Sequence, residues 1–497
     1  MASEAKISVK FFVDKEENKV VFAEASKDFL DILFSFLTLP LSTVIELIGD
    51  SLVLESMSNV YKSVKSLEDK YLETKACKNM LLHPLSAGAF RCEDLKLNIG
   101  NANPRRFYQC SNKDCTNREK VFISLVPDVR CSYCEKSMED TNSSRKRKED
   151  SASDDDGGVF VKGGETTLFI IMDDLRVMPV SVASTFTMLQ KLRIRNNKKL
   201  EEMTLDLGKE EVSYLLKQSI ISETPLTDTC FRKTEVFQNE SRKADTSNKI
   251  SIKAEARSED EHCEEICMKL YIDRAENRML CAEVDGEVVN LLFSFLVLPM
   301  GSVIKLLHTS SSMGCLDNLY RSVEGLVSEY IVSDECKSLL LSPKLPPFFG
   351  CSRCLLNVEE MLPLPLEGSS CERSFPSVWI SCNIYVNGIC SNGKYVKPVL
   401  EPLNPKKKKV NRTEKGGGYT DGWAKFILTD NLCVSPLSLS SILQAISDCQ
   451  GTFSKILDQR EVVIGKVQAL ELLKSALISK TPLTDVFLPR AGEMKDD

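Results

Sequence analysis

The chain repeats itself, and nothing else in its sequence restricts the fold as strongly. SVKFFVDKEENKVVFAEA at 8–25 is answered by CMKLYIDRAENRMLCAEV at 267–284, and LFSFLTLP at 33–40 by LFSFLVLP at 292–299. The register from Val9–Pro84 to Met268–Pro343 needs no gap and contains 28 identities in 76 pairs. IIMDDLRVMPVS at 170–181 then pairs with ILTDNLCVSPLS at 427–438, and TPLTD recurs at 224–228 and 481–485. Self-similarity on this scale means one structural unit encoded twice.

Within each copy the residue patterns predict an α+β unit. Apolar alternation in KISVKFFV and KVVFAEA around the polar DKEEN predicts a β-hairpin. The run FLDILFSFLTLPLSTVIELI at 29–48 is the most apolar segment, yet Asp31, Glu46 and Pro40 argue against a membrane span, since ionised groups in hydrocarbon are costly. Two short buried helices meeting at Pro40 fit better, because proline disfavours helix in the residue before it and suits the start of a new one. Helices are expected at 54–67 and 73–82. Beyond a Cys-rich insert, TTLFIIMDDL reads as a strand, SVASTFTMLQKL as a helix, EEMTLDL as a strand and KEEVSYLLKQSI as a helix. Val467, Leu470, Leu473 and Leu477 repeat at helical spacing in the second copy and predict a core-facing stripe.

These patterns divide the chain into a first repeat at 1–230, a linker at 231–262 and a second repeat at 263–497. The first repeat holds a Cys-rich insert at 105–140 and a flexible basic and acidic loop at 141–158. The second holds an insert at 346–395 and a flexible basic loop at 401–418. Each half contains a hairpin, helices, an insert and a terminal αβ unit, so residues 1–235 are expected to form a soluble unit alone.

Of the four cysteines in CSNKDCTNREKVFISLVPDVRCSYC, Cys110 and Cys115 form one short pair and Cys131 and Cys134 another, with a strand-like spacer, KVFISLV, between them. Two such pairs bring four soft ligands to the corners of a tetrahedron, the arrangement of a structural zinc ribbon. Four thiolates fill the coordination sphere, so the zinc would hold rather than react. A second zinc would need Cys351 and Cys354 with Cys382 and Cys390, at a spacing that matches the first set poorly.

With VYKSV at 60–64 of NVYKSV, the hairpin, LFSFLTLP, the insert, MDDLRVMPVS and TPLTD resemble the plant family of domain of unknown function 674 (DUF674) across nearly the whole chain, in two copies. The resemblance implies a shared fold and a plant source, and no activity. Members of the family finish the insert with CPxCG; here Cys131-Ser132-Tyr133-Cys134-Glu135 lacks that Pro and Gly.

Little else carries chemistry. The only histidines are His83, His262 and His308, which leaves few of the usual acids and bases, and neither GxxxxGK[ST] nor GxGxxG occurs. No enzyme is expected. Asp173 and Asp174 could bind a hard cation, but a turn or cap role suits them better. MASEAKISVKFF lacks a signal-peptide core, so the chain is expected in the cytoplasm, the nucleus or both, with its 19 cysteines reduced or metal-bound. Lys406, Lys407, Lys408 and Lys409 form a basic run that could serve as a nuclear-import signal if exposed. The leading expectation is a non-enzymatic interaction or scaffold protein with a protein partner. The alternative is a nucleic-acid-binding regulator using Arg105, Arg106, Lys113, Arg118, Lys120 and Arg130 beside Phe107, Tyr108 and Phe122. A net charge of −7 implies no global polyanion partner.

Overall fold

A computed structural model describes residues 5–488, apart from 50–53, 101–103, 105, 117, 119, 141–157, 165, 193–199, 232–265, 274–277, 310, 352–354, 362–365, 368–398, 409–416 and 449–456. The first copy begins with β1 (Ile7–Asp14), β2 (Lys19–Ser26), α1 (Lys27–Ser35), α2 (Leu41–Ile48), α3 (Glu55–Ser66), α4 (Lys75–Leu82) and α5 (Ala89–Cys92). Its insert contributes β3 (Tyr108–Gln109), α6 (Lys113–Thr116), β4 (Lys120–Ser124) and β5 (Glu139–Asp140). Then come β6 (Leu168–Met172), β7 (Val177–Pro179), α7 (Val182–Lys191), β8 (Leu200–Leu207), α8 (Lys209–Ile221) and α9 (Pro225–Cys230).

The second copy starts with β9 (Ile266–Asp273), β10 (Arg278–Asp285), α10 (Gly286–Leu296), α11 (Met300–Leu306), α12 (Leu316–Gly325) and α13 (Asp334–Leu341). It continues through β11 (Leu366–Glu367), β12 (Val399–Pro402), β13 (Lys425–Thr429), β14 (Val434–Pro436) and α14 (Leu439–Asp448). It closes with β15 (Leu457–Ile464), α15 (Lys466–Ile478) and α16 (Pro482–Phe487).

The duplication is visible in the sheets. Strand order β7-β6-β2-β1-β8 in the first copy is repeated as β14-β13-β10-β9-β15 in the second. The hairpin register slips at Val21 in one and Leu280 in the other, so even the bulge is repeated. Ile7, Val9, Phe11 and Val13 alternate into the core along β1, as a strand with one buried face requires. The apolar run at 29–48 breaks where Pro40 requires it: Leu39 and Pro40 are extended, and α2 starts at Leu41. Val467 departs from its expected place, being exposed, while Ala469, Leu472, Leu473 and Ala476 form the buried stripe of α15. Leu473 and Leu477 face inward as expected.

The copies share one core. A single cluster of buried apolar side chains runs from β1 through α1, α10 and α15. At its centre Pro40 and Pro299 lie side by side: Leu41 N–H donates to Leu298 C=O at 3.0 Å, and Met300 N–H to Leu39 C=O at 2.9 Å. The backbones of the two copies approach so closely here that a Cβ on Gly301 would sit 3.1 Å from Leu37 C=O.

Around this join each copy lends a helix to the other. Ser63 on α3 accepts from Val434 N–H at 2.9 Å, and its equivalent Ser322 on α12 accepts from Val177 N–H at 2.9 Å. Asn59 Nδ2 donates to Asn431 C=O at 2.9 Å, as Asn318 Nδ2 does to Asp174 C=O at 3.0 Å. Ser56 Oγ donates to Ser479 C=O at 2.7 Å, and the Cys315 thiol to Ser222 C=O at 3.2 Å. Each of these three contacts is made twice, once in each direction.

This reciprocity changes the expectation for residues 1–235. The half has all its elements, but α3 packs on the terminal αβ unit of the other copy, leaving its own β7 to be covered by α12 and the end of α8 by Cys315 just before α12. A fragment of residues 1–230 should therefore satisfy α3 by exchanging it with a second fragment, as in domain swapping. We expect size-exclusion chromatography with light scattering to give a dimer or insoluble aggregate. A folded monomer would show that the exchange is dispensable.

Candidate metal centre

The first insert builds a knuckle from short elements. Cys110 follows β3, Cys115 lies in the single turn α6, and β4 leads to a tight turn carrying Cys131 and Cys134. The second turn is closed by Cys131 N–H on Lys136 C=O at 2.8 Å and Glu135 N–H on Cys131 C=O at 3.0 Å. Glu135 takes φ +59°, the left-handed region that glycine tolerates best and where the CPxCG pattern has glycine. The four Sγ atoms all lie within 4.8 Å of one another, with Cys110 and Cys134 3.4 Å apart. Thiolates around one zinc sit roughly 3.8 Å apart, from Zn–S bonds of about 2.3 Å at tetrahedral corners, so this set could hold such an ion.

The environment of the thiols is uneven. Burial pushes Cys110 up to about 11 and Cys115 higher still, whereas the Lys136 backbone N–H brings Cys134 down to about 7. Cys110 and Cys115, buried beside other sulfurs, are costly to ionise. A divalent ion supplies the charge that lets all four deprotonate.

The knuckle is tied to both copies. Lys75 pairs with Asp128 at 3.1 Å and Asn79 donates to the same carboxylate at 2.7 Å, fixing the insert to α4. On its other side β4 pairs in parallel with β12 from the second copy, extended by Leu403 N–H on Ile123 C=O at 2.8 Å. The resulting sheet, β11-β12-β4-β3-β5, draws strands from both copies.

The family described as protein of unknown function (DUF674) matches residues 3–333 and again 264–496. The chain belongs to the DUF674 family. No curated protein and no solved structure matches it.

Other candidate residues of this DUF674 chain are placed differently. Cys351 is half-buried, its thiol 4.0 Å from Asn290 C=O, while Cys354, Cys382 and Cys390 lie outside the described residues. Among the described residues the first Cys set is the one group of metal-ligand geometry. The basic run is not an exposed strand at its start. Lys406 is fully buried, its ammonium donating to Gly350 C=O and, at 3.2 Å, to Gly417 C=O, and lying 4.6 Å from the Tyr419 ring centre. Lys408 pairs with Asp421 at 3.2 Å, and Lys409 lies outside the described residues. These contacts correct the reading of 406–408 as a free basic loop: carbonyls and a ring face replace water around Lys406.

The basic and aromatic residues of the knuckle mostly serve one another. Arg106 pairs with Asp140 at 3.1 Å and Lys120 with Glu401 at 3.3 Å, Arg118 lies 4.1 Å from the Tyr133 ring centre, and Phe122 packs on Tyr133. Phe107 is buried, and Arg105 lies outside the described residues. Asp173 is likewise occupied, accepting from Thr227 N–H at 2.9 Å and Thr227 Oγ1 at 2.6 Å. Asp430 and Thr484 repeat that latch at 2.8 and 2.6 Å. The two acids of IIMDDL therefore divide between a latch and an ion pair, Asp174 with Arg176 at 2.8 Å.

Sequence reading missed the role of Asp31, noted above only as an argument against a membrane span. Its buried carboxylate accepts from Val159, Phe160 and Val161 N–H at 2.7–2.8 Å. Asn290, its equivalent, accepts from Tyr419 and Thr420 N–H at 2.7 and 3.0 Å. The available signal was a polar residue at the same place in two otherwise apolar helices.

Burial raises Asp31 to about 6, against the pull of its three N–H donors. The folded value lies above the ordinary 3.8, so the protonated form favours folding. That contribution is complete below about pH 4 and is lost as pH rises through about 6, on the order of 2–3 kcal/mol. Asp31→Asn removes the titration, and Asn290 demonstrates that an amide can hold this loop. The melting temperature of D31N relative to the unsubstituted chain should thus rise between pH 4 and pH 7.5. A pH-independent difference would refute the assignment.

Proposed function

We propose that this protein is a non-enzymatic interaction platform in which a structural zinc ion clasps the two copies together. The observation that carries the reading is the four-cysteine knuckle seated on a sheet whose strands come from both halves. Thiolates prefer zinc among the abundant divalent ions, and a sphere of four cysteine ligands leaves no position for water or substrate. The carboxylates with catalytic potential, Asp31, Asp173 and Asp430, hold backbone instead. A frame in which these acids hold backbone suits presenting surfaces to partners.

Nucleic-acid binding through the knuckle is the weaker reading, because Arg106 and Lys120 are paired with carboxylates and the tilted rings of Phe122 and Tyr133 pack on each other. A polyanion would have to break those pairs. We place the protein in the cytoplasm, the nucleus or both. No described helix is long and apolar enough to cross a membrane.

Two measurements test the proposal. Affinity purification of the intact chain with mass spectrometry should yield a stoichiometric protein partner, whereas co-purifying nucleic acid or a measurable turnover would overturn it. Elemental analysis of protein purified under reducing conditions without chelators should give close to one zinc per chain, lost in Cys131→Ser. Structural zinc is worth on the order of 10–16 kcal/mol in small modules. Its loss should accelerate amide exchange in β4 and in β12 of the other copy, while β1, α1 and α10 stay protected. Protein without metal would reduce the set to ordinary thiols.

A further inference from the structure

The outermost helices, α7 and α14, carry apolar side chains that no described element covers. Each lies on the face of its sheet turned away from the shared core. Met188 packs on Ile170 and Met172 with Leu189 and Leu192 beside it, and Ala445 packs on Cys281 and Ile427 with Ile442. The opposite faces point outward: Val182 is 76% and Phe186 63% exposed on α7, Leu439 74% and Leu443 57% on α14. Val180 and Leu437 extend the two patches.

The patches are the same patch, made twice. The offset that aligns IIMDDLRVMPVS with ILTDNLCVSPLS places Val180 on Leu437, Val182 on Leu439 and Phe186 on Leu443. All three residues differ between the copies and all remain large and apolar while exposed. At the end of the same helices Lys191 aligns with Asp448, so charge has drifted where apolarity has not. Retention of exposed apolar character through independent substitution points to a use.

Charge and area narrow the occupant. From Val177 to Gln190, and again from Val434 to Ser447, there is no Asp, Glu, Lys or Arg, in a chain that is 27% charged. Such a face offers nothing to a polyanion or a charged peptide. The three exposed side chains of each patch present roughly 300 Å² of apolar surface, the size that monomers keep for a purpose. A stable globular pair buries about 800 Å² on each side, so either patch is too small to dimerise the chain. An i, i+4 pair on a helix does match the apolar stripe of one short amphipathic helix.

We propose that α7 and α14 are twin docking faces, each taking a short amphipathic helix with an uncharged aliphatic stripe. One chain thereby engages two such segments. This rests on the interaction reading above and names its surface. Each contact alone is weak, and a partner carrying two linked helices would gain avidity.

The test uses the full chain and a fluorescent, hydrocarbon-stapled helical peptide with leucines at i, i+3, i+4 and i+7 and glutamine and serine elsewhere. Titration should give two peptides per chain, one for V182S/F186S, one for L439S/L443S and none for the fourfold variant. Exposed positions tolerate serine, so all variants should melt like the parent, which separates lost docking from lost fold. Absence of binding, or binding unchanged in the fourfold variant, overturns the proposal. So does self-association abolished by the four substitutions, which would make a second copy the occupant, or equally sensitive binding to phosphatidylcholine vesicles. A chain that fails with the peptide yet still purifies with a stoichiometric protein partner would lose the twin faces and keep the interaction reading.

Discussion

The structure depends on a hydrogen-bonded join between two prolines. Pro40 and Pro299 end the most apolar helices of the chain, and neither has an N–H to continue a helix. The carbonyls of Leu39 and Leu298 would be left unpaired in the interior, a costly state. Each is instead satisfied by the residue after the other copy's proline, Met300 or Leu41. A sequence break that would weaken one helix becomes, when duplicated, the contact that locates two helices against each other. Phe29, Phe34 and Phe36 from one copy and Phe293 and Phe295 from the other are then fully buried in one interior.

Polar groups turn that apolar collapse into a defined geometry. The pairs Ser63 and Val434, Asn59 and Asn431, and Ser56 and Ser479 recur with roles exchanged between copies. The loops follow the same rule, Glu73 N–H bonding Tyr419 C=O at 2.8 Å and Val332 N–H bonding Phe160 C=O at 3.0 Å. Asp31 and Asn290 hold those loops from inside. Apolar packing alone would permit sliding; a buried donor without its acceptor would not be tolerated.

How far the sequence could be read depended on the range of the interactions. The hairpin, the break at Pro40, the strand at Lys120–Ser124 and the Cys110, Cys115, Cys131 and Cys134 set were legible because alternation, proline geometry and ligand spacing act locally. The exchange was not, because Ser63 carries no local mark that its partner is Val434, more than 300 residues away. Lys406 was misread for a related reason: in sequence it is one of four consecutive lysines, while its carbonyl ligands come from Gly350 and Gly417. Val467 shows the limit of periodicity itself, since of the four residues at that spacing Leu473 and Leu477 reach the core while Val467, at the start of the helix, stays exposed.

The interlocked halves also explain why one metal knuckle could matter to a chain with so large a core. The apolar interior secures the helices around the two prolines, but the Cys insert is polar, short in secondary structure and joined to the second copy through the four residues of β12. Cys110, Cys115, Val126, Val129, Cys131 and Met138 nevertheless join the shared core, and an ion held by the four thiolates would order two turns at once. The knuckle is continuous with that pairing: β4 bonds β12, and the chain leading from β12 delivers Lys406 to its buried site beside Tyr419. The knuckle of the first copy is in this way linked to the position of a loop in the second.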